Sequence, residues 1–152
     1  MNRKAWLVLM VAVAASQSYG MPPDKGRECR VVDIELKATP LNADEIGRAS
    51  LVAEGKRTGV VFFISGTPSG VTLPLHLYTF IYPGSCAALG AQPVYEMNQV
   101  VLADRVGSLA AGWRMSKRVA VPLEQLRAGD YSIVMRTSPA DGYRDIFCGE
   151  II

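Results

Sequence analysis

Leu75-His76-Leu77-Tyr78-Thr79-Phe80-Ile81-Tyr82-Pro83-Gly84-Ser85-Cys86 reads as a strand that runs into a tight turn. Successive side chains of a strand point to opposite sides of a sheet, so Leu75, Leu77, Thr79 and Ile81 share one face. His76, Tyr78, Phe80 and Tyr82 share the other, and every side chain on that second face is a ring. The Pro-Gly-Ser stretch that follows carries turn chemistry.

The same period of two recurs upstream. Val32, Ile34, Leu36 and Ala38 alternate with Asp33, Glu35 and Lys37, and Ala49, Leu51 and Ala53 alternate with Arg48, Ser50 and Glu54. Gly55-Lys56 turns into Thr58 to Ser65, whose Val60-Val61-Phe62-Phe63-Ile64 run predicts a central, well-covered strand. Gly66 to Gly70 is a further turn. Downstream, strands are expected at Pro93 to Leu102, Trp113 to Val121, Tyr131 to Ser138 and Asp145 to Ile151. The one competing helix lies at Pro122 to Arg127, with Pro in the first turn and Gly129 ending it. Strands without helical crossovers between them pair antiparallel. The expected fold is therefore all-β, an antiparallel Greek-key β-sandwich or flattened barrel of about eight strands. Tyr131 reads as a tyrosine corner, its ring packed inside and its hydroxyl bonded to nearby backbone.

The N-terminus predicts export. Arg3 and Lys4 precede an apolar run from Ala5 to Ala15, followed by Ser16-Gln17-Ser18-Tyr19-Gly20. This is the order of a cleavable signal peptide, and the run is too short to serve as an anchor, which needs about 20 apolar residues. The reading gives a signal peptide at 1–20, a flexible leader at 21–28 and one domain at 29–152, with a bacterial periplasmic or secreted destination and no transmembrane anchor after cleavage. Removing residues 1–20 takes away Arg3 and Lys4 and no acid, leaving 14 basic and 14 acidic residues. Nucleic-acid binding draws on a clustered positive field. The scattered Lys56, Arg57, Arg114, Lys117 and Arg118 form no such cluster and read as solvated strand ends.

Cysteines 29, 86 and 148 are an odd set for an oxidising compartment, so one is left over. Cys86 lies in the turn and Cys148 in the last strand, and a bridge between them would pin a loop to the sheet at a gain of about 4 kcal/mol in the chain-entropy model. Cys29, near the flexible start, reads as a free thiol or as the site of a Cys29-linked dimer.

Phe80-Ile81-Tyr82-Pro83-Gly84-Ser85-Cys86-Ala87-Ala88-Leu89-Gly90 and Asp145-Ile146-Phe147-Cys148-Gly149-Glu150-Ile151 together resemble the copper/zinc superoxide dismutase superfamily and its relatives with chordin-like CHRD domains. Leu126-Arg127-Ala128-Gly129-Asp130-Tyr131 is similar to that family's Leu-x-x-Gly-x-Tyr approach to a later strand. The resemblance spans roughly residues 30 to 152. It implies a Greek-key framework and a bridge between Cys86 and the Cys148-Gly149 of the last strand. It also assigns Phe80 and Tyr82 to the positions of two copper-binding histidines, and Arg136 to that of a third. Neither ring offers an imidazole nitrogen, and Arg brings a permanent positive charge. These are degenerate metal-site positions.

His76 is the single histidine, so no His-rich copper or zinc site can be assembled. A site built from His76 with Asp104, Asp141 or Asp145 is the alternative. Cys86 as a nucleophile would lose its thiolate to the bridge. Phe80, Tyr82 and Arg136 are expected to meet, with the guanidinium against a ring.

The expectation is an exported, non-catalytic binding or interaction module of the bacterial envelope, with no cofactor. Its partner, a protein or small-molecule ligand and not nucleic acid, would meet the ring-bearing face or the Pro83 to Gly90 loop. The rival readings are a periplasmic metal-binding or dismutase-like protein with an unconventional site, and a structural subunit linked through Cys29.

Overall fold

A computed structural model describes residues 30–107 and 112–152. The signal peptide, the leader and Cys29 lie outside the described residues.

In chain order the elements are β1 (Val31–Ala38), β2 (Gly47–Glu54), β3 (Arg57–Ile64), β4 (Tyr78–Ser85), β5 (Ala88–Leu89), β6 (Tyr95–Glu96), β7 (Asp104–Arg105), β8 (Trp113–Val119), α1 (Leu123–Ala128), β9 (Tyr131–Arg136) and β10 (Asp145–Ile151). The strands pair antiparallel in the order β5-β4-β9-β10-β1-β2-β3-β8-β7, with β6 also on β4, and the sheet does not close. The result is an all-β sandwich.

β1 makes the corner between the layers. Its residues Val31 to Leu36 pair with β2, and Lys37 and Ala38 pair with β10. Where β1 crosses β10 the backbones come so close that a Cβ on Gly149 would stand 2.7 Å from the Glu35 carbonyl oxygen. Only glycine admits that approach. The inward faces then share one core, in which Ile34, Leu51, Phe62 and Met115 from one layer meet Ile81, Ile133, Met135 and Phe147 from the other.

The alternating segments form strands where the pattern places them, and two regions differ. β4 starts at Tyr78 rather than Leu75 and runs on through Ser85. Leu75 to Leu77 is instead tied to the segment after Val100: Leu77 N–H donates to Val101, Ala103 N–H donates to Leu75, and His76 bridges Leu102. The expected strand over Pro93 to Leu102 shrinks to β6. The Asn98 side-chain oxygen accepts from Thr79 N–H and ends the ladder there, a substitution that hydrophobic pattern does not encode. The helix forms as expected, with Pro122 as its N-cap. Tyr131 packs edge-on against Tyr95, and among the described residues its hydroxyl makes no hydrogen bond, so the tyrosine corner is not built.

The expected solvated strand ends hold at Lys56 and Arg57, exposed where β2 turns into β3, and are corrected in β8. Arg114, Lys117 and Arg118 lie within β8. Register sets Arg114 in a cross-strand row, Glu35, Arg48, Phe63, Arg114 and Asp104, on the outer face, where each arginine stands opposite an acid and the two flank Phe63. Lys117 points the other way, inward between Met115 and Val119, and is only 4% exposed.

Candidate functional site

The ring face of β4 decides the site. Pairing with β9 sets Tyr78 opposite Arg136, Phe80 opposite Val134 and Tyr82 opposite Ser132. A bulge in β10 between Asp145 and Phe147 does the rest. The extra residue lets Ile146 and Phe147 both bury while Asp145 is carried onto Arg136's row, which a regular strand would have given to Ile146.

The expected convergence is present. The Arg136 Cζ lies 5.2 Å from the centre of the Phe80 ring and 5.3 Å from that of Tyr82, and its Nε donates to Asp145. A third ring, from Tyr143, stands 5.4 Å away on the open side. Tyr143 also makes edge contacts with Tyr78 at 5.7 Å and Phe80 at 6.0 Å. Each guanidinium–ring contact contributes about 0.5–2 kcal/mol, according to how far it is desolvated.

Tyr143 is placed by the turn between β9 and β10. Pro139–Asp141 forms a single helical turn, Gly142 follows at φ 87°, and Tyr143 itself sits at φ 53°, a conformation uncommon for a residue with a Cβ. The turn is held from outside as well. Asp141 accepts from Ser138 and from both the N–H and hydroxyl of Thr72, and these bonds, Ser138's first, hold its carboxyl below the usual carboxylate range.

Burial of the Arg136 guanidinium opposes its charge, but the hydrogen bond and attraction of Asp145, and then of Tyr82, outweigh it and raise its pKa. Arg136 is a permanent cation.

Phe80, Tyr82 and Arg136 do not fit a copper ion. None offers an imidazole lone pair, the guanidinium has no acceptor, and its charge repels a cation. The alternative set does not gather either. His76 bridges Leu102, Asp104 lies opposite Arg114, Asp141 is bound to Thr72 and Ser138, and Asp145 is bound to Arg136. Among the described residues no three of His, Cys, Asp and Glu come together as a metal site.

The disulfide belongs to the same cluster. Cys86, at the tip of the β4–β5 hairpin, is bonded to Cys148 with their Cα atoms 5.9 Å apart. Gly84 makes the hairpin possible: its φ is 91°, and a Cβ there would stand 2.3 Å from the Ala88 carbonyl oxygen. Cys148 packs beside Phe80, Tyr82 and Val134. The bonded Cys86 has no thiolate to offer as a nucleophile.

The expected contact surface on the ring face is not open. Phe80 and Tyr82 are 4% and 6% exposed, because Arg136 and Tyr143 lie over them. Tyr143, at 40%, is the most exposed ring of the cluster, His76 and Tyr78 are half-buried, and the Pro83 to Gly90 loop at the far end of β4 is half-exposed. Sequence reading missed Tyr143 and the pairing role of Asp145. The Asp141-Gly142 dipeptide, a turn signal, is what could have drawn attention to the former.

Among the described residues no helix is long and apolar enough to cross a membrane. No family model, curated protein or solved structure matches the chain.

Proposed function

We propose that the protein is an exported, non-catalytic β-sandwich of the bacterial envelope that binds a partner through exposed surface around Tyr143 or through the Pro83 to Gly90 loop. The reading takes the framework as dismutase-like or CHRD-like, with side-chain packing in place of the metal centre. The observation that carries it is the Arg136 guanidinium, packed over three rings and paired with Asp145 at the positions the resemblance assigns to metal ligands. A permanent cation there suits a framework that presents a surface better than one that cycles a redox metal. The disulfide supports an oxidising destination, because such bonds persist there.

Metal analysis of native, untagged protein from an oxidising compartment tests the reading. Copper and zinc well below one equivalent are expected. A stoichiometric, tightly held copper or zinc ion would overturn it in favour of an unconventional metal site.

A further inference from the structure

The outer edge of β8 is only partly paired, and the course of the chain before β7 is the cause. Val106 N–H donates to the Gly112 carbonyl and Asp104 pairs with Arg114, so Gly112, Arg114, Ser116 and Arg118 turn their backbone N–H and C=O groups toward the β7 side, while the residues between them face β3. The same register would set Leu102 opposite Ser116. Leu102 instead bridges His76, and the flanking Val101 and Ala103 are hydrogen-bonded to Leu77 and Leu75. Lys117 reinforces this departure from within, its Nζ donating to the Leu77 carbonyl at 2.8 Å. Among the described residues Ser116 and Arg118 are therefore left without a strand partner on that side. A cleft of about 340 Å³ opens along them, walled by Arg57, Ser116 and Arg118 together with Gln99 and Val100.

We propose that this cleft accepts an extended acidic segment of a partner protein, which adds to β8 as an antiparallel strand. The bare N–H and C=O groups of Ser116 and Arg118 supply the pairing, since an open strand edge is a template for another backbone. Side-chain charge selects the partner. Ser116 and Arg118 are on the exposed face, Arg57 has no ion pair among the described residues, Arg118 shares its charge with Glu54 at 3.1 Å, and no acid lines the cleft. In the added strand, the residues paired with Ser116 and Arg118 lie on that same face, where acids meet the arginines. The residues alternating with them turn to the apolar side of β8, with Met115 and Val119. A second copy of this chain fits less well. Its β8 would bring Arg114, Lys117 and Arg118 beside their counterparts, and like charges across a ladder destabilise it. The site is independent of the Arg136 cluster and of the function proposed above.

Amide NMR of the isotope-labelled, folded full chain, titrated with an acetylated and amidated peptide of alternating glutamate and valine, tests the site. The expected result is a set of shifts centred on Ser116 and Arg118, with slowed hydrogen exchange at both amides. A lysine-valine peptide of equal length should bind at least about tenfold more weakly, because it meets the same arginines with the wrong sign. N-methylation of the peptide's glutamates removes the N–H groups that face β8 and should abolish binding, whereas N-methylation of its valines should be tolerated. Ser116→Pro should also abolish binding and leave the β3 ladder intact, because the N–H it removes faces the cleft. Should that variant not fold, the two methylated peptides still decide on the unaltered chain. Shifts confined to Tyr143 or to the Pro83 to Gly90 loop, or none at millimolar peptide, would overturn the site. Equal affinity for the two charges would overturn the preference for an acidic partner, and binding that survives methylation of the glutamates would overturn strand addition. Shifts at Ser116 and Arg118 that follow protein concentration without any peptide would assign the edge to a second copy and overturn the peptide partner.

Discussion

Arg136 on β9 and Lys117 on β8 are both drawn away from solvent, and their surroundings act on them in opposite directions. Arg136 lies among three rings with Asp145 on its Nε, so its charge is met by partners that match a planar guanidinium. Lys117 has one backbone carbonyl and no counter-charge among the described residues, so desolvation governs it. Withdrawn from water, one cation is thus kept charged by its partners and the other is driven toward neutrality. Partners decide the outcome more than depth does. The contrast also divides the molecule into one layer whose buried cation is paired and braced by a disulfide, and another whose buried amine has no counter-charge among the described residues.

The largest effect that sharpens this contrast is pH-dependent. The folded-state pKa of Lys117, about 7, lies below the ordinary lysine value of 10.5. Between these values the unfolded chain holds a proton that the folded chain has released, so stability rises with pH across the window and is flat below it, with a slope of up to about 1.4 kcal/mol per unit. Urea unfolding at pH 6.5, 8.5 and 10 should show the rise. Lys117→Met should remove it, exceed the unaltered chain by about 2 kcal/mol at pH 6.5 after loss of the Leu77 bond, and yield that lead by pH 10. A Met variant less stable than the unaltered chain at pH 6.5 would break the contrast.

Replacing Cys86 and Cys148 together by Ala should cost about 3–4 kcal/mol. Hydrogen exchange should quicken first in β4, β9 and β10, the strands around Arg136, and last in β8. Uniform quickening would deny that the bridge braces one layer. Arg136→Met should cost about 2 kcal/mol through loss of the ring contacts and of the Asp145 pair, which is partly screened because Asp145 is 39% exposed. The smallest effect is expected at Tyr143→Ala, about 1 kcal/mol by urea unfolding, since one ring contact is lost and two persist.

Much of the fold was legible in the chain, because alternation over Val32 to Ala38, Arg48 to Glu54 and Thr58 to Ser65 fixes both strand and buried face. Asp145 to Ile151 was placed with the bounds it has. The stretch from Pro93 to Leu102 misled because its apolar residues answer to irregular partners, Asn98 at Thr79 and Val101 at Leu77. The convergence of Phe80, Tyr82 and Arg136 was anticipated, whereas the bulge that brings Asp145 round was not. A bulge adds one residue to a ladder, and no residue type announces it. Lys117 was misplaced for a related reason. Lysine at an inward strand position violates the pattern that identifies the strand, and only the carbonyl across the core makes it tolerable.

Copper titration of the triple variant F80H/Y82H/R136H against the unaltered chain, with near-ultraviolet circular dichroism to establish that the variant is folded, bears most directly on the displaced metal site. Phe80 and Tyr82 both lie within 5.3 Å of the Arg136 Cζ, so three imidazoles there would face a common point. The account predicts uptake of about one copper ion by the variant and none above background by the unaltered chain. A folded variant that binds no more copper than the unaltered chain would contradict it.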